Sequence, residues 1–193
     1  MSGADGMKFS REWAMPSHET FSIPPIAVFI DKYLRASTVS IDPFARDFTR
    51  ATYTNDLNPD TLASSHVDSL DFLRGLDDSG VLADLIIFDP PYSPRQVKEC
   101  YNGIGLKMKQ EDAQRTCSWV REKEIIHDLL EVGGVFLYFG WDSMGMGRTR
   151  GYQIEEILLV CHGPGHNDTI CMAERKLQHQ ESFRMVPEGR TLP

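Results

Sequence analysis

The chain has 193 residues, 41% of them hydrophobic and 25% charged, enough to bury one sheet-and-helix core and unlike a disordered or membrane-embedded sequence. No apolar stretch approaches the roughly 18 residues of a membrane-spanning helix, and the first ten residues lack a secretion signal's apolar core, so a soluble, cytoplasmic protein is expected. The net charge of −8 argues against indiscriminate coating of nucleic acid; residues 95–123 nevertheless carry a charge of +3, leaving −11 for the remainder.

Residues 1–17 show no periodicity and are expected to form an arm. Ile26, Phe29, Ile30, Tyr33 and Leu34 recur at helical spacing behind Pro24 and Pro25, which predicts an amphipathic helix over residues 24–35. Short strands are expected at 38–41 and 51–55. The first stops at Asp42-Pro43-Phe44 and the second at Asp56-Leu57-Asn58-Pro59. A helix is expected from Asp60, then a brief third strand at His66-Val67. The run Ala83 to Phe88 is apolar, bounded by turn signals and short, the pattern of a strand buried on both faces.

Residues 94–117 are polar and weakly periodic, and predict a long functional loop with helical pieces. Residues 119–130 form an amphipathic helix capped by Gly133-Gly134 and followed by a fifth strand at 135–139. Residues 154–161 and 169–173 form an antiparallel hairpin around Gly163-Pro164-Gly165. Residues 18–180 make a single domain, and 181–193 form a tail. Strands alternating with helices imply an α/β fold, a mostly parallel sheet covered on both faces with a closing hairpin at one edge.

Cys100, Cys117, Cys161 and Cys171 lack C-x-x-C spacing, so neither a disulfide framework nor a metal site is expected. Asp42, Asp56, Asp68 and Asp89 each follow a predicted strand, which gathers four acids on the rim where ligands of open α/β sheets bind.

The strand ending at Phe88 runs into Asp89-Pro90-Pro91-Tyr92. Two prolines fix φ and supply no N–H, so the strand stops there and leaves carbonyl acceptors outside the ladder. An ionised Asp89 only accepts hydrogen bonds, and the carbonyl of Pro90 is a second acceptor close by. Together they suit both hydrogens of a planar amine, with the Tyr92 ring available to stack on a base and its hydroxyl near water.

These residues resemble the S-adenosylmethionine-dependent amino-methyltransferases, most closely the adenine-N6 DNA methyltransferases, over residues 18–176. Asp89-Pro90-Pro91-Tyr92 resembles the family's catalytic motif, and Asp42-Pro43-Phe44-Ala45 the start of its donor loop, D-P-F-x-G-x-G. Where the family has its G-x-G, this chain has Arg46-Asp47-Phe48. The resemblance implies a Rossmann-like, seven-stranded class I methyltransferase sheet. It also implies a donor site of Phe21, Ser22, Ile23, Asp42, Pro43, Phe44, Ala45, Asp56, Leu57, Asp68 and Ser69. The family's mechanism implies that a flipped or single-stranded adenine receives the methyl group. Ser93, Arg95, Lys98, Lys107 and Lys109 are the expected contacts to the nucleic acid, DNA in the first reading, with no membrane partner. An RNA base, cytosine N4 and a catalytically silent donor- or DNA-binding protein are the alternatives. The family's separate target-recognition region is absent, which leaves room for a homodimer or a partner protein that supplies specificity.

Overall fold

The computed structural model describes residues 6–107 and 118–177. Its seven strands are β1 (Lys8–Trp13), β2 (Ser40–Asp42), β3 (Tyr53–Thr54), β4 (Ala83–Phe88), β5 (Leu130–Gly140), β6 (Tyr152–Cys161) and β7 (Thr169–Lys176). They form one sheet in the order β1-β6-β7-β5-β4-β2-β3. β7 runs antiparallel to β5 and β6, and every other pairing is parallel. This is the Rossmann-like, mostly parallel sheet closed by an antiparallel hairpin that the sequence predicts.

Helices cover both faces. α1 (Pro24–Leu34), with prolines in its first turn, buries Ile26, Phe29, Ile30 and Tyr33 against Leu85, Ile87, Leu137 and Val160. α2 (Ser69–Asp78) and α4 (Val120–Leu129) bury Leu73, Ile126 and Leu129 with Ile86, Phe88 and Phe136 on the opposite face. Inward-facing residues of one strand thus alternate between the two cores, as the period of two demands.

Several elements depart from the sequence expectation. Residues 8–13, expected as part of an arm, form the edge strand β1 alongside β6. Lys8 Nζ lies 2.6 Å from Glu156 Oε1, and Arg11 Nε donates to Cys161 Sγ at 3.0 Å. The expected third strand contracts to a single bridge between Asn55 and Ser65. No helix starts at Asp60, because Asn58 folds the chain into a local turn: its Oδ1 accepts from Asp60 N at 3.0 Å and its carbonyl from Thr61 N at 3.3 Å. The 94–117 segment, expected as a loop with helical pieces, opens with helix α3 (Pro94–Gly103), with Ser93 as its cap; residues 108–117, including Lys109, lie outside the described residues. Gly133-Gly134 does not cap α4. The chain turns extended at Leu130 and β5 runs straight on, with Gly133 at φ 89° where the register slips against β4.

α4 is closed instead by Lys176 from β7. Its buried amine donates to the carbonyls of His127 and of Leu130, the latter at 2.6 Å, so terminal helix acceptors are satisfied by a residue far along the chain. β2 and β3 are joined by residues 43–52 with no helix between them, a shorter route than parallel neighbours ordinarily take. Buried Asn55 closes that connection. Its Nδ2 donates to the carbonyls of Pro43 (3.3 Å) and Val67 (3.0 Å), and its Oδ1 accepts from Val67 N at 3.1 Å.

Candidate active site

A cavity of about 730 Å³ opens at one rim of the sheet. The parallel strands all end there and antiparallel β7 starts there, so residues distant in sequence converge. Asp56 follows β3, Asp89 follows β4, Trp141 follows β5, His162 follows β6 and Thr169 opens β7. Pro16, Ser17 and His18, just past β1, form the near wall.

Asp89 is the best-furnished of these side chains. The Tyr92 hydroxyl donates to its Oδ1, and Thr20 lines the same cavity. Burial raises the Asp89 carboxyl to about 6, with the Tyr92 hydroxyl pulling the other way. The Tyr92 hydroxyl therefore turns inward to the carboxylate instead of lying near water, and its own proton is held far above the usual phenol range by burial and by Asp89. Tyr92 N donates to Gln96 Oε1 at 2.7 Å, which fixes the ledge to the first turn of α3. The Tyr92 ring meets Trp141 edge to face, with centroids 5.4 Å apart.

Across the cavity, Asp56 accepts from Asn58 N at 2.8 Å through Oδ1 and from Arg46 N at 3.2 Å through Oδ2, and burial raises its carboxyl. Each oxygen retains a further lone pair for a ligand hydroxyl. Asp42 lies fully buried behind the rim. Its Oδ1 accepts from Phe44 N at 3.0 Å, and its Oδ2 has no partner among the described residues. Burial, and then the charges of Asp89 and Asp56, push its carboxyl well up.

The loop after β2 answers what replaces the glycines. Arg46, at the first glycine position of the family pattern, has φ 50°, the left-handed conformation that glycine adopts without strain. Phe48, at the second, packs its ring on Phe21 at 4.8 Å, and Phe21 in turn packs on Phe139 at 5.1 Å. Phe44 sits between Phe88 and Trp119, at 5.4 and 5.0 Å.

Of the residues named from sequence, Ile23, Phe44, Asp56, Asp89, Pro90, Pro91 and Tyr92 line the cavity. Pro43, Ala45 and Leu57 stand in the adjoining loops without lining it, and Phe21 and Ser22 turn to neighbouring side chains. Asp68 caps α2 by accepting from Leu70 N at 3.0 Å, and Ser69 faces Glu122, so neither is brought to the cavity. Ser93 is the cap of α3, Arg95 pairs with Glu99 at 2.9 Å, and Lys98 and Lys107 are exposed away from the lining.

His162, Thr169 and Trp141 also line the cavity. The ring of His162 is fully engaged: Nδ1 lies 2.8 Å from the Ala14 carbonyl and Nε2 2.9 Å from Thr169 Oγ1. A carbonyl only accepts, so Nδ1 donates to Ala14, while at Nε2 either the ring or the threonine hydroxyl can be the donor.

No protein-family model matches the chain, and no curated protein does. Among solved structures it is similar to NSun6 from Pyrococcus horikoshii with SFG, at 15% identity and a TM-score of 0.49, covering 76% of this chain and 50% of that one. It is similar to TrmN from Thermus thermophilus at 15% identity and a TM-score of 0.47, covering 80% and 49%. An rRNA methylase from Streptococcus thermophilus follows at 14% identity and 0.44, covering 80% and 97%. The chain spans about half the length of the first two. At these values the fold assignment rests on the chain's own strand order.

Proposed function

We propose that the protein is an S-adenosylmethionine-dependent methyltransferase acting on the exocyclic amine of a nucleobase. Adenine N6 in DNA is the acceptor that the Asp-Pro-Pro-Tyr resemblance names. The observation that carries this reading is Asp89, held at the cavity rim with the Tyr92 hydroxyl donating to a carboxylate that only accepts. That donor occupies a place that one hydrogen of an amine would take.

The cavity fits the proposed donor. Its volume lies within the roughly 300–1,000 Å³ of small-molecule sites. Asp56 offers lone pairs to the ribose hydroxyls, and the acids at the rim suit a cationic sulfonium. Phe44 and Ile23 supply apolar wall. S-adenosylmethionine, when bound, supplies an electrophilic methyl group.

The chain's part in the chemistry is positioning and proton handling. An exocyclic amine is a poor nucleophile because its lone pair is delocalised into the ring. Hydrogen bonds from its two N–H groups to Asp89 and to the carbonyl of Pro90 favour a pyramidal nitrogen and free that pair. Asp89, whose carboxyl lies at about 6, would take the surplus proton of the methylated amine and release it to water near neutrality. The Tyr92 ring, joined edge to face with Trp141, offers the base a stacking surface once the hydroxyl yields its place on Asp89.

Incubation with labelled donor and separate pools of duplex DNA, single-stranded DNA, RNA and protein, followed by nucleoside mass analysis, tests the reading. Label in N6-methyladenosine or its deoxy form is the expected result, and the pools decide between DNA and RNA. Full transfer by Asp89→Ala would sink the assignment.

A further inference from the structure

We infer that Arg46 and Glu19 form the subsite for an α-amino-acid zwitterion, the methionine end of the donor, with Arg46 taking its carboxylate and Glu19 its ammonium group. This deepens the donor reading above and rests on it.

The two side chains pair with each other: Arg46 lines the cavity, and Glu19 stands between the lining residues His18 and Thr20. Arg46 NH2 lies 2.7 Å from Glu19 Oε1, while Arg46 NH1 donates to the carbonyl of His18. Both are about half exposed, at 51% and 46%, so this is a surface ion pair of the kind that contributes little and exchanges partners readily. A zwitterion replaces each charge of the pair with its opposite: the guanidinium fork gains a carboxylate it can bind through two parallel N–H groups, and Glu19 gains an ammonium.

Three observations tie the pair to the ligand. Of the described residues that line the cavity, Arg46 is the one lysine or arginine, so an anionic ligand group has a single full cation to find there. Arg46 also holds a left-handed backbone, φ 50°, that glycine would adopt without strain. An outlier kept with a long cationic side chain needs a use for that side chain.

Its position relative to the rim supplies the third. Arg46 N donates to Asp56, the ribose acid of the reading above, and the Arg46 charge also bears on Asp89. Glu19 directly precedes Thr20, which lines the cavity together with Asp89. The donor's sulfur carries a methyl group, a nucleoside and an amino-acid chain. On this assignment Asp89, Asp56 and the Arg46–Glu19 pair would each serve one of those three arms.

Calorimetric titration of the full chain with S-adenosylhomocysteine and with 5′-methylthioadenosine, which lacks the amino acid, tests the assignment. The wild type is expected to prefer S-adenosylhomocysteine. Arg46→Gly, which suits the backbone, and Glu19→Gln should each weaken that ligand by about tenfold or more and leave 5′-methylthioadenosine within about twofold, with Arg46→Lys restoring part of the loss. Equal losses for both ligands, or no loss for either, would overturn the subsite while the donor reading stands. A wild type that binds neither ligand overturns the donor reading, and the subsite with it.

Discussion

The Tyr92 hydroxyl donates to Oδ1 of Asp89, so the aromatic and the acid of the ledge are bound to each other before any amine arrives. An incoming amine competes with that hydroxyl for Oδ1. Tyr92→Phe keeps the ring and removes the competitor, but it also removes a donor that favours the ionised carboxylate, so the Asp89 carboxyl should rise further. The expected outcome is a few-fold lower transfer rate at pH 7, recovered at pH 8, whereas Tyr92→Ala should lose about a hundredfold or more at both. Rate profiles of the two variants against pH distinguish these outcomes.

Transfer should fall with acidity in the wild type. Asp89 holds the amine only when ionised, and its carboxyl sits at about 6. The rate at low substrate is therefore expected to level off above pH 7 and to drop by about tenfold per unit below about 5.5. A profile flat down to pH 5 would remove Asp89 from its role.

Stability should show the same group with the opposite consequence. The folded carboxyl is raised above its ordinary value, so the folded protein binds a proton that the unfolded chain has already lost between about pH 4 and 6. Its contribution to stability is present below that window and is lost as pH rises through it. Asp89→Asn removes the ionisable group, so it should melt higher than the wild type at pH 8, with the gap closing toward pH 4. Thermal melts at the two pH values measure it.

Asn55→Ala should cost about 2–4 kcal/mol in urea unfolding, because it deletes three hydrogen bonds made by a buried side chain and strands the carbonyls of Pro43 and Val67. Since the same bonds hold the loop of Phe44 and Arg46, affinity for S-adenosylhomocysteine should fall in the variant even where it remains fully folded.

Lys176→Met keeps the bulk of the side chain and removes the buried amine. Two helix-end carbonyls, those of His127 and Leu130, lose their donor, for an expected loss of about 2–5 kcal/mol. Because Lys176 lies at the end of β7 away from the cavity rim, donor affinity at low temperature should hardly change.

The ledge was legible because its signal is local: an apolar run, an acid and two prolines dictate a strand end with free acceptors whatever surrounds them. The edge strand β1 was not. Lys8–Trp13 mixes charge and aromatics and exposes nearly every residue, and it is a strand only because β6 lies beside it and Glu156 meets Lys8. Trp141, His162 and Thr169 reach the cavity through strand order, which no local pattern encodes. Asp68 read as a rim acid because it follows the expected strand at His66-Val67; the helix N-terminus took its carboxylate instead. The left-handed turn at Arg46 was hidden by the residue itself, since glycine is the usual mark of that conformation.

The helix-free connection between β2 and β3 has a thermodynamic consequence. Residues 43–48 are tied down at close intervals: Ala45 N donates to the Asn55 carbonyl at 2.8 Å, Phe48 N to the Ala45 carbonyl at 2.8 Å, and Asp47 Oδ1 accepts from Leu62 N at 3.0 Å. Such a segment has little backbone freedom left to lose, so a ligand that lands on it meets a fixed ridge and not a closing flap. Association at this rim should then carry a small ordering entropy, with most of its free energy set by the few polar groups already in place.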